Sequence, residues 1–399
     1  MKFDVVQLES TGIDVIDGDR GKNYPHQNEL LDTGFCLFLS AKNVTKSGFN
    51  FFETKFISQR KDTLLKNGKL KRGDIVITTR GTVGNVALYS PQIFYDNVRI
   101  NSGMLIIRCT NNISNQYLYQ VLRSEWFQKQ IMAVQSGSAQ PQLPKSHFLK
   151  MYIPLPSLPI QEKIASILQL IDDKVMTNNA INNNLEQQAQ LLFQSWFSNT
   201  NRYINNDWHI RKFGEVAYFS QGMQVPISKQ LLFPAHGYER FIRIVDITQP
   251  SNQDIRYIES TDKGKVFASD IFMIRYGSPG IVARNYEGII ANNLFTIYPT
   301  IAELSNDYIY YYLKSNDIQK YIVQNAVSST MPAINFSTLK NLDIIIPDRI
   351  SMQRFTDFSK TVRLIQYNIK QENQRLAQLR DTLLPKLMSG ELDVSDIDL

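Results

Sequence analysis

The chain repeats itself at an offset of 191 residues, and that feature constrains its architecture more than any local propensity does. Asn115, Tyr117 and Tyr119 recur as Asn306, Tyr308 and Tyr310, Gln128-Lys129 recurs as Gln319-Lys320, and Pro141, Pro156 and Leu192 recur as Pro332, Pro347 and Leu383. The register holds without a gap from about residue 115 to 197, across a short helix, a polar loop, a strand ending in proline and a long helix. Upstream the offset drifts by a few residues, yet LKRGDIVITTRGTVGNVA at 70–87 resembles VFASDIFMIRYGSPGIVA at 266–283. Asp74 and Asp270, Gly81 and Gly277, Gly84 and Gly280, and Val86-Ala87 and Val282-Ala283 coincide. Two copies of one unit follow. Where they differ, as in Arg80-Gly81-Thr82 against Tyr276-Gly277-Ser278, the differences fall in loops, which is where copies with different ligands diverge.

Each copy ends in a long helix. From Ile160 to Phe197 there is no Gly or Pro, and a four-three alternation runs through Ile164, Leu168, Ile171, Val175, Asn178, Asn182, Leu185, Ala189, Leu192 and Trp196. Residues 352–388 repeat it with Phe355, Phe358, Val362, Ile365, Ile369, Leu376, Leu379, Leu383 and Leu387. Helices this long are marginal alone and need a partner, which the other copy supplies. The polar break at Glu372-Asn373 answers that at Asn178 and Asn182, and facing polar positions would fix the register. The expected fold is therefore α+β with a pseudo-twofold internal repeat: two similar globular heads, separated by two long antiparallel helices in an intramolecular coiled coil.

Composition excludes several classes. Hydrophobic residues at 43% and charged residues at 20% suit a globular chain. The net charge of +6 is local, since residues 1–157 carry +7, most densely through Lys55, Arg60, Lys61, Lys66, Lys69, Lys71 and Arg72. Such a stretch suits a polyanion or simply a solvated face. Cys36 and Cys109 are the only cysteines, so a reducing cytoplasm is expected rather than a disulfide framework. Neither an export signal nor a run of apolar residues long enough for a membrane span is visible.

Catalytic signatures are missing from the sequence. There is no Phe-x-Gly-x-Gly or Asn/Asp-Pro-Pro-aromatic pair for adenine methylation, no Gly-x-x-x-x-Gly-Lys-Ser/Thr loop for ATP, and no Gly-x-Ser-x-Gly elbow. His26, His147, His209 and His236 are scattered and no Cys-x-x-Cys occurs, so no metal is expected. Asp32 followed by Glu53-x-Lys55 is a weak match to a Mg²⁺-dependent nuclease pattern.

The strings QSGSAQPQLPKSHFLKMYIPLPSLPIQEKIASILQLIDDKV and LAQLRDTLLPKLMSGELDV resemble the two hallmark regions of the specificity subunits of type I restriction-modification systems, and DGDRGKNYP and LSAKNV resemble the start of a target-recognition domain in that family. The resemblance covers essentially the whole chain. It implies a non-catalytic subunit that reads a bipartite double-stranded DNA target, one half-site per domain, with the helices as spacer and as docking surface for two methyltransferase subunits, to which restriction subunits add. S-adenosylmethionine, ATP and Mg²⁺ would then belong to those partners and no cofactor to this chain. The implied segments are a first target-recognition domain at 1–157, a spacer helix at 158–200, a second domain at 201–347, and a second helix with the tail at 348–399. The second copy departs from the pattern at Ser328-Ser329-Thr330-Met331, where the first has Gly137-Ser138-Ala139-Gln140, and at 348–354, DRISMQR. Alternatives are a stand-alone DNA-binding nuclease and a coiled-coil scaffold.

Polar and cationic loop residues read base edges and hold phosphates. In the first copy these are Lys42 and Asn43, the glycine-loop residues Thr79, Arg80, Thr82 and Asn85, and the polar-loop residues Ser136, Ser138, Gln140 and Gln142. In the second they are Arg243 and Asp246, then Arg275, Tyr276 and Ser278, then Ser328, Ser329 and Thr330. For partner docking the candidates are Trp196, Phe197, Leu384, Pro385 and Met388, near the two helix C-termini.

Overall fold

The structure, a computed structural model, describes residues 3–134, 142–197, 207–248, 254–326 and 332–397. The chain forms two compact units, one of Met1–Lys174 with Leu376–Leu399 and one of Val175–Arg375.

In the first unit a four-stranded antiparallel sheet is ordered Asp14–Asp17, Met104–Arg108, Ile75–Thr78, Val86–Leu88. Its central strands show no polar alternation because both faces are covered. Ile75, Ile77, Leu105 and Ile107 point to a core shared with the helices Asn115–Arg123 and Glu125–Val134, whereas Val76, Met104 and Ile106 point to a core shared with Leu37, Leu39 and Tyr89. A second sheet, Phe56–Ile57, Cys36–Leu39, Val98–Ile100, closes that other side.

The second unit repeats this plan. Its sheet is ordered Ala217–Gln221, Leu294–Pro299, Ile271–Ile274, Val282–Ala283, with Ile271, Met273, Phe295 and Ile297 facing the helices and Phe272, Ile274 and Leu294 facing away. Residues shared by the copies make equivalent bonds. Tyr117 Oη donates to the Pro154 carbonyl at 2.9 Å, and Tyr308 Oη to the Ile345 carbonyl at 2.7 Å. Gln128 Nε2 donates to the carbonyls of Gly84 and Leu122, and Gln319 Nε2 to those of Gly280 and Leu313. Gly84 and Gly280 hold φ of 93° and 94°, and an added Cβ would come within 2.8 Å of Gln128 and 2.7 Å of Ile322 respectively.

The long helices are Leu158–Phe197 and Arg349–Ser389. Within each unit they run antiparallel. In the first, Lys163 Nζ donates to the Ser395 carbonyl just beyond the second helix, Asp172 lies 3.5 Å from Arg380, and Ile164 and Leu168 share a core with Leu384 and Leu387. In the second, Phe193 packs on Phe355, and Asn178 Nδ2 donates to Glu372 Oε2 and Asn373 Oδ1, both at 2.8 Å. Asn178 thus faces Glu372-Asn373 as the sequence implied, whereas Asn182 lies beside Gln366, whose amide donates to the Asn182 carbonyl. Two seam assignments shift by one residue: Ile365 and Leu379 are exposed, while the neighbouring Gln366 donates to Glu186 at 3.0 Å and Arg380 reaches Asp172. A helix of 3.6 residues per turn drifts against a strict seven-residue reading, and here the half-buried carboxylates Glu186 and Asp172 select the polar neighbour.

The degraded motif of the second copy has a direct counterpart. In the first unit Gln161, 1% exposed, accepts from Ser114 N and donates to the carbonyls of Asn112 and Pro156. Its partner in the repeat is Met352, also buried, whose sulfur accepts one long bond from the Ser305 hydroxyl at 3.9 Å in place of the bonds of the amide.

Candidate nucleic-acid interface

In the first unit the glycine loop and the segment after the polar loop are stitched together. Arg80 bridges Gln142, Leu143 N donates to the Thr79 carbonyl at 3.0 Å, and Thr79 N and Arg80 N both donate to the Gly103 carbonyl. A cleft of about 290 Å³ lies there, lined among others by Asp17, Arg20, Thr79, Arg80, Gln142 and Lys145. The Arg80 side chain is exposed and has no bonded partner among the described residues, so its guanidinium fork is available to a ligand. Arg20 is held 3.0 Å from Asp17, and Lys145 Nζ donates to the Val15 carbonyl at 2.5 Å. Thr82 is exposed on the same loop, and Thr79 is buried with its backbone in the scaffold. Arg20 lies in the charge-dense DGDRGK string at 17–22 and Lys145 just after the polar loop, and nothing in the sequence marks the two as lining one cleft.

The second unit builds the same scaffold with different side chains. Tyr276 bridges Ala333, Gly277 N donates to the Pro332 carbonyl, and Ile334 N donates to the Arg275 carbonyl. Position for position, Tyr276 stands where Arg80 does and Arg275 where Thr79 does. The Arg275 guanidinium lies 4.6 Å from the Phe336 ring centroid and 5.0 Å from that of Tyr276, and donates to Gln221 at 2.9 Å. Ser278 is exposed at the loop tip. Ser136, Ser138, Gln140, Ser328, Ser329 and Thr330 lie outside the described residues.

Other candidates are occupied within the fold. Asn43, 2% exposed, accepts from Ser40 and donates to the carbonyls of Asn50 and Glu53, so it shapes its loop and presents no free edge. Lys42 is exposed and paired with Glu53 at 3.0 Å, and Asn85 Nδ2 donates to the Val44 carbonyl. Asp246 is buried and accepts from Arg243 N and Nε, while Arg243 Nη1 reaches Asp254. A buried carboxylate requires such pairing, so Arg243 and Asp246 brace their own loop instead of presenting a free edge. The dense basic stretch is likewise largely neutralised: Lys55 pairs with Asp32, Lys61 with Glu29, Lys69 with Asp62 and Arg72 with Asp96. That pairing also takes up the Asp32 and Lys55 of the nuclease-like pattern, and Glu53 is held by Lys42.

The docking candidates need the clearest correction. Phe197, Leu384 and Met388 are 5–6% exposed, and Trp196 packs partly buried against the second unit's core; only Pro385 is exposed. By the repeat, Leu384, Leu387 and Met388 occupy in the first unit the places that Phe193, Trp196 and Phe197 occupy in the second. Each set is the plug that one long helix inserts into a unit's core, and large apolar residues are there for packing. Charge networks fix the same helices. Arg123 lies over Tyr119 and pairs with Asp172 in the first unit; in the second, Arg284, 2% exposed at its side chain, lies 3.9 Å from the Tyr310 ring centroid and pairs with Asp307 and Glu186. Burial pushes the Cys36 and Cys109 thiols up to about 12, leaving no thiolate at neutral pH. Among the described residues no three His, Cys, Asp or Glu side chains are grouped to hold a metal ion, and no helix is long and apolar enough to cross a membrane.

Two duplicated units with divergent loops on one scaffold match a known family: the type I restriction modification DNA specificity domain is found at residues 11–187 and again at 205–375. The chain belongs to this family. It is thus a specificity subunit with two recognition domains, a non-catalytic DNA-recognition component that assembles with other subunits. It is 24% identical over 352 residues to the specificity subunit of the type I restriction enzyme MjaIX of Methanocaldococcus jannaschii, covering 82% of this chain and 79% of that one. The HindI specificity subunit of Haemophilus influenzae is 23% identical, with 94% and 98% covered. A solved S subunit of a type I restriction-modification system from M. genitalium shares the fold, with a TM-score of 0.53 at 16% identity over 97% of this chain and 96% of that one.

Proposed function

We propose that this specificity subunit reads one half-site with each recognition domain, through the Arg80 cleft in the first and the Tyr276–Ser278 loop in the second. Segments 1–157 and 201–347 serve as the readers, and 158–200 and 348–399 as the helical frame. The complex contains two methyltransferase subunits and, through them, restriction subunits; S-adenosylmethionine, ATP and Mg²⁺ act in those partners, in the cytoplasm. Lys42, Thr79, Thr82, Asn85 and Gln142 support the first reader from its loops, and Arg275 the second by positioning Tyr276.

One observation carries this reading. The hydrogen-bonded frame is the same in both units while the residue displayed on it changes from Arg80 to Tyr276, from a bidentate donor suited to guanine to an aromatic hydroxyl. A frame kept constant under a varied display is what two different half-sites require.

The test is Arg80→Gln in the assembled methyltransferase complex, with methylated sites mapped over random duplexes. The expected result is relaxed sequence preference in one half-site only, by about 1–3 kcal/mol at one base pair. Uniform weakening on every sequence, with a shallower salt dependence, would make Arg80 a phosphate contact and remove it from the reader.

A further inference from the structure

A second polar cleft, of about 170 Å³, lies inside the second unit, away from the display loop. Arg240 on the strand Tyr238–Ile242, the loop at 285–287 and the helix face of Tyr367, Lys370, Gln371 and Gln374 form its walls.

Two cations converge there on one ring. Lys370 Nζ lies 3.1 Å and the Arg240 guanidinium 5.7 Å from the Tyr286 ring centroid. Lys370 has no carboxylate partner among the described residues, and its one protein acceptor is the Asn285 carbonyl at 2.7 Å. An ammonium carries three N–H donors; one goes to that carbonyl and one faces the Tyr286 ring, so one remains. Arg240 is 3.8 Å from Asp246, a carboxylate already claimed by Arg243, and its buried Nε has no hydrogen-bond partner. The remaining acid at the cleft, Glu287, accepts from the Tyr367 hydroxyl at 3.2 Å. Neither Asp246 nor Glu287 is paired with Lys370, and burial, reinforced by Arg240, brings its amine down to about 7.

The pair is not part of the duplicated frame. The 191-residue register places Asn179 opposite Lys370, so the second copy alone carries this charge. A fixed guanidinium, an ammonium with one idle donor and two glutamine amides together match a tetrahedral oxyanion with several acceptors.

We infer that this cleft binds a single phosphate group between Arg240 and Lys370. The group is either a free phosphate or a diester of a DNA backbone, and the inference stands whatever Arg80 reads.

The experiment uses the intact chain at pH 7 and follows acetylation of Lys370 by mass spectrometry, with sodium phosphate, a short duplex, or sodium chloride at matched ionic strength. A phosphate bound beside Lys370 raises its affinity for the proton, and a rise of one unit from about 7 lowers the reactive neutral amine at pH 7 about fivefold. The expected outcome is strong slowing by phosphate or duplex and little by chloride, with the slowing lost in Arg240→Gln. Slowing by inorganic phosphate identifies a free-phosphate site; slowing by duplex alone identifies a backbone diester. Should Arg240→Gln fold poorly, the phosphate-induced rise in melting temperature of the parent chain, absent in Lys370→Met, supplies the same answer. No slowing beyond chloride, or slowing that Arg240→Gln leaves intact, overturns the inference.

Discussion

A side chain in this protein is either displayed by the scaffold or consumed by it, and the difference rests on hydrogen-bond satisfaction. Asn43 and Asp246 are buried, and unsatisfied polar groups there would cost roughly 1–3 kcal/mol each, so they bond within their loops. Arg80 is exposed, pays no such penalty, and remains free to meet a ligand. Asp348 shows the same economy at a helix start. Burial raises its carboxyl, but Ser351, Trp208 and the Ile350 N–H outweigh it and take it down to about 2. Its folded value is below the ordinary one near 4, so its stabilising effect is present above about pH 4 and is lost as pH falls toward 2. Asp348→Ala should therefore cost about 1 kcal/mol at pH 7 through loss of the helix cap, and thermal melts of the two proteins should converge at pH 2.

Elements persist through duplication where geometry leaves no alternative. Gly84 and Gly280 each combine a positive φ with a neighbour that a Cβ would strike, and the carbonyl of each accepts from the repeated glutamine. Gly84→Ala should destabilise the first unit by roughly 1–3 kcal/mol, read from its denaturant midpoint, while the second unit's transition stays put. The long helices follow a different rule. Their seam is apolar where it enters a unit's core and polar at Asn178, Glu372 and Asn373, and a buried polar contact in a coiled coil specifies register at some expense of stability. Asn178→Leu is expected to raise the melting temperature of the second unit while relaxing the pairing, visible as faster amide exchange along residues 366–373.

At the scale of the molecule, the second unit is one continuous segment, Val175–Arg375, whereas the first is not contiguous in sequence. The first needs Leu376–Leu399, which delivers Leu384, Leu387, Met388 and Val394 to a core otherwise built from the first 174 residues. Leu384→Ala should cost about 2–5 kcal/mol as a core truncation. Ending the chain at Arg375 should abolish the first unit's cooperative melting transition and leave the second unit's in place, which domain-resolved proteolysis would report. If both units melted unchanged, the C-terminal segment would not belong to the first core.

Sequence alone determined the duplication, the α+β elements, the two helices and the polar pairing at Asn178 with Asn373, because periodicity and self-similarity are properties of the chain itself. It also pointed to the glycine loops, since only a glycine holds φ near 93° there. Tertiary structure decided which residues are displayed. Whether Arg243 meets a ligand or Asp254, whether Lys55 faces a polyanion or Asp32, and whether Phe197 docks a partner or fills a core depend on neighbours far away in sequence. Charge and hydrophobicity state what a side chain requires, but only the assembled fold determines whether that requirement is already met from within.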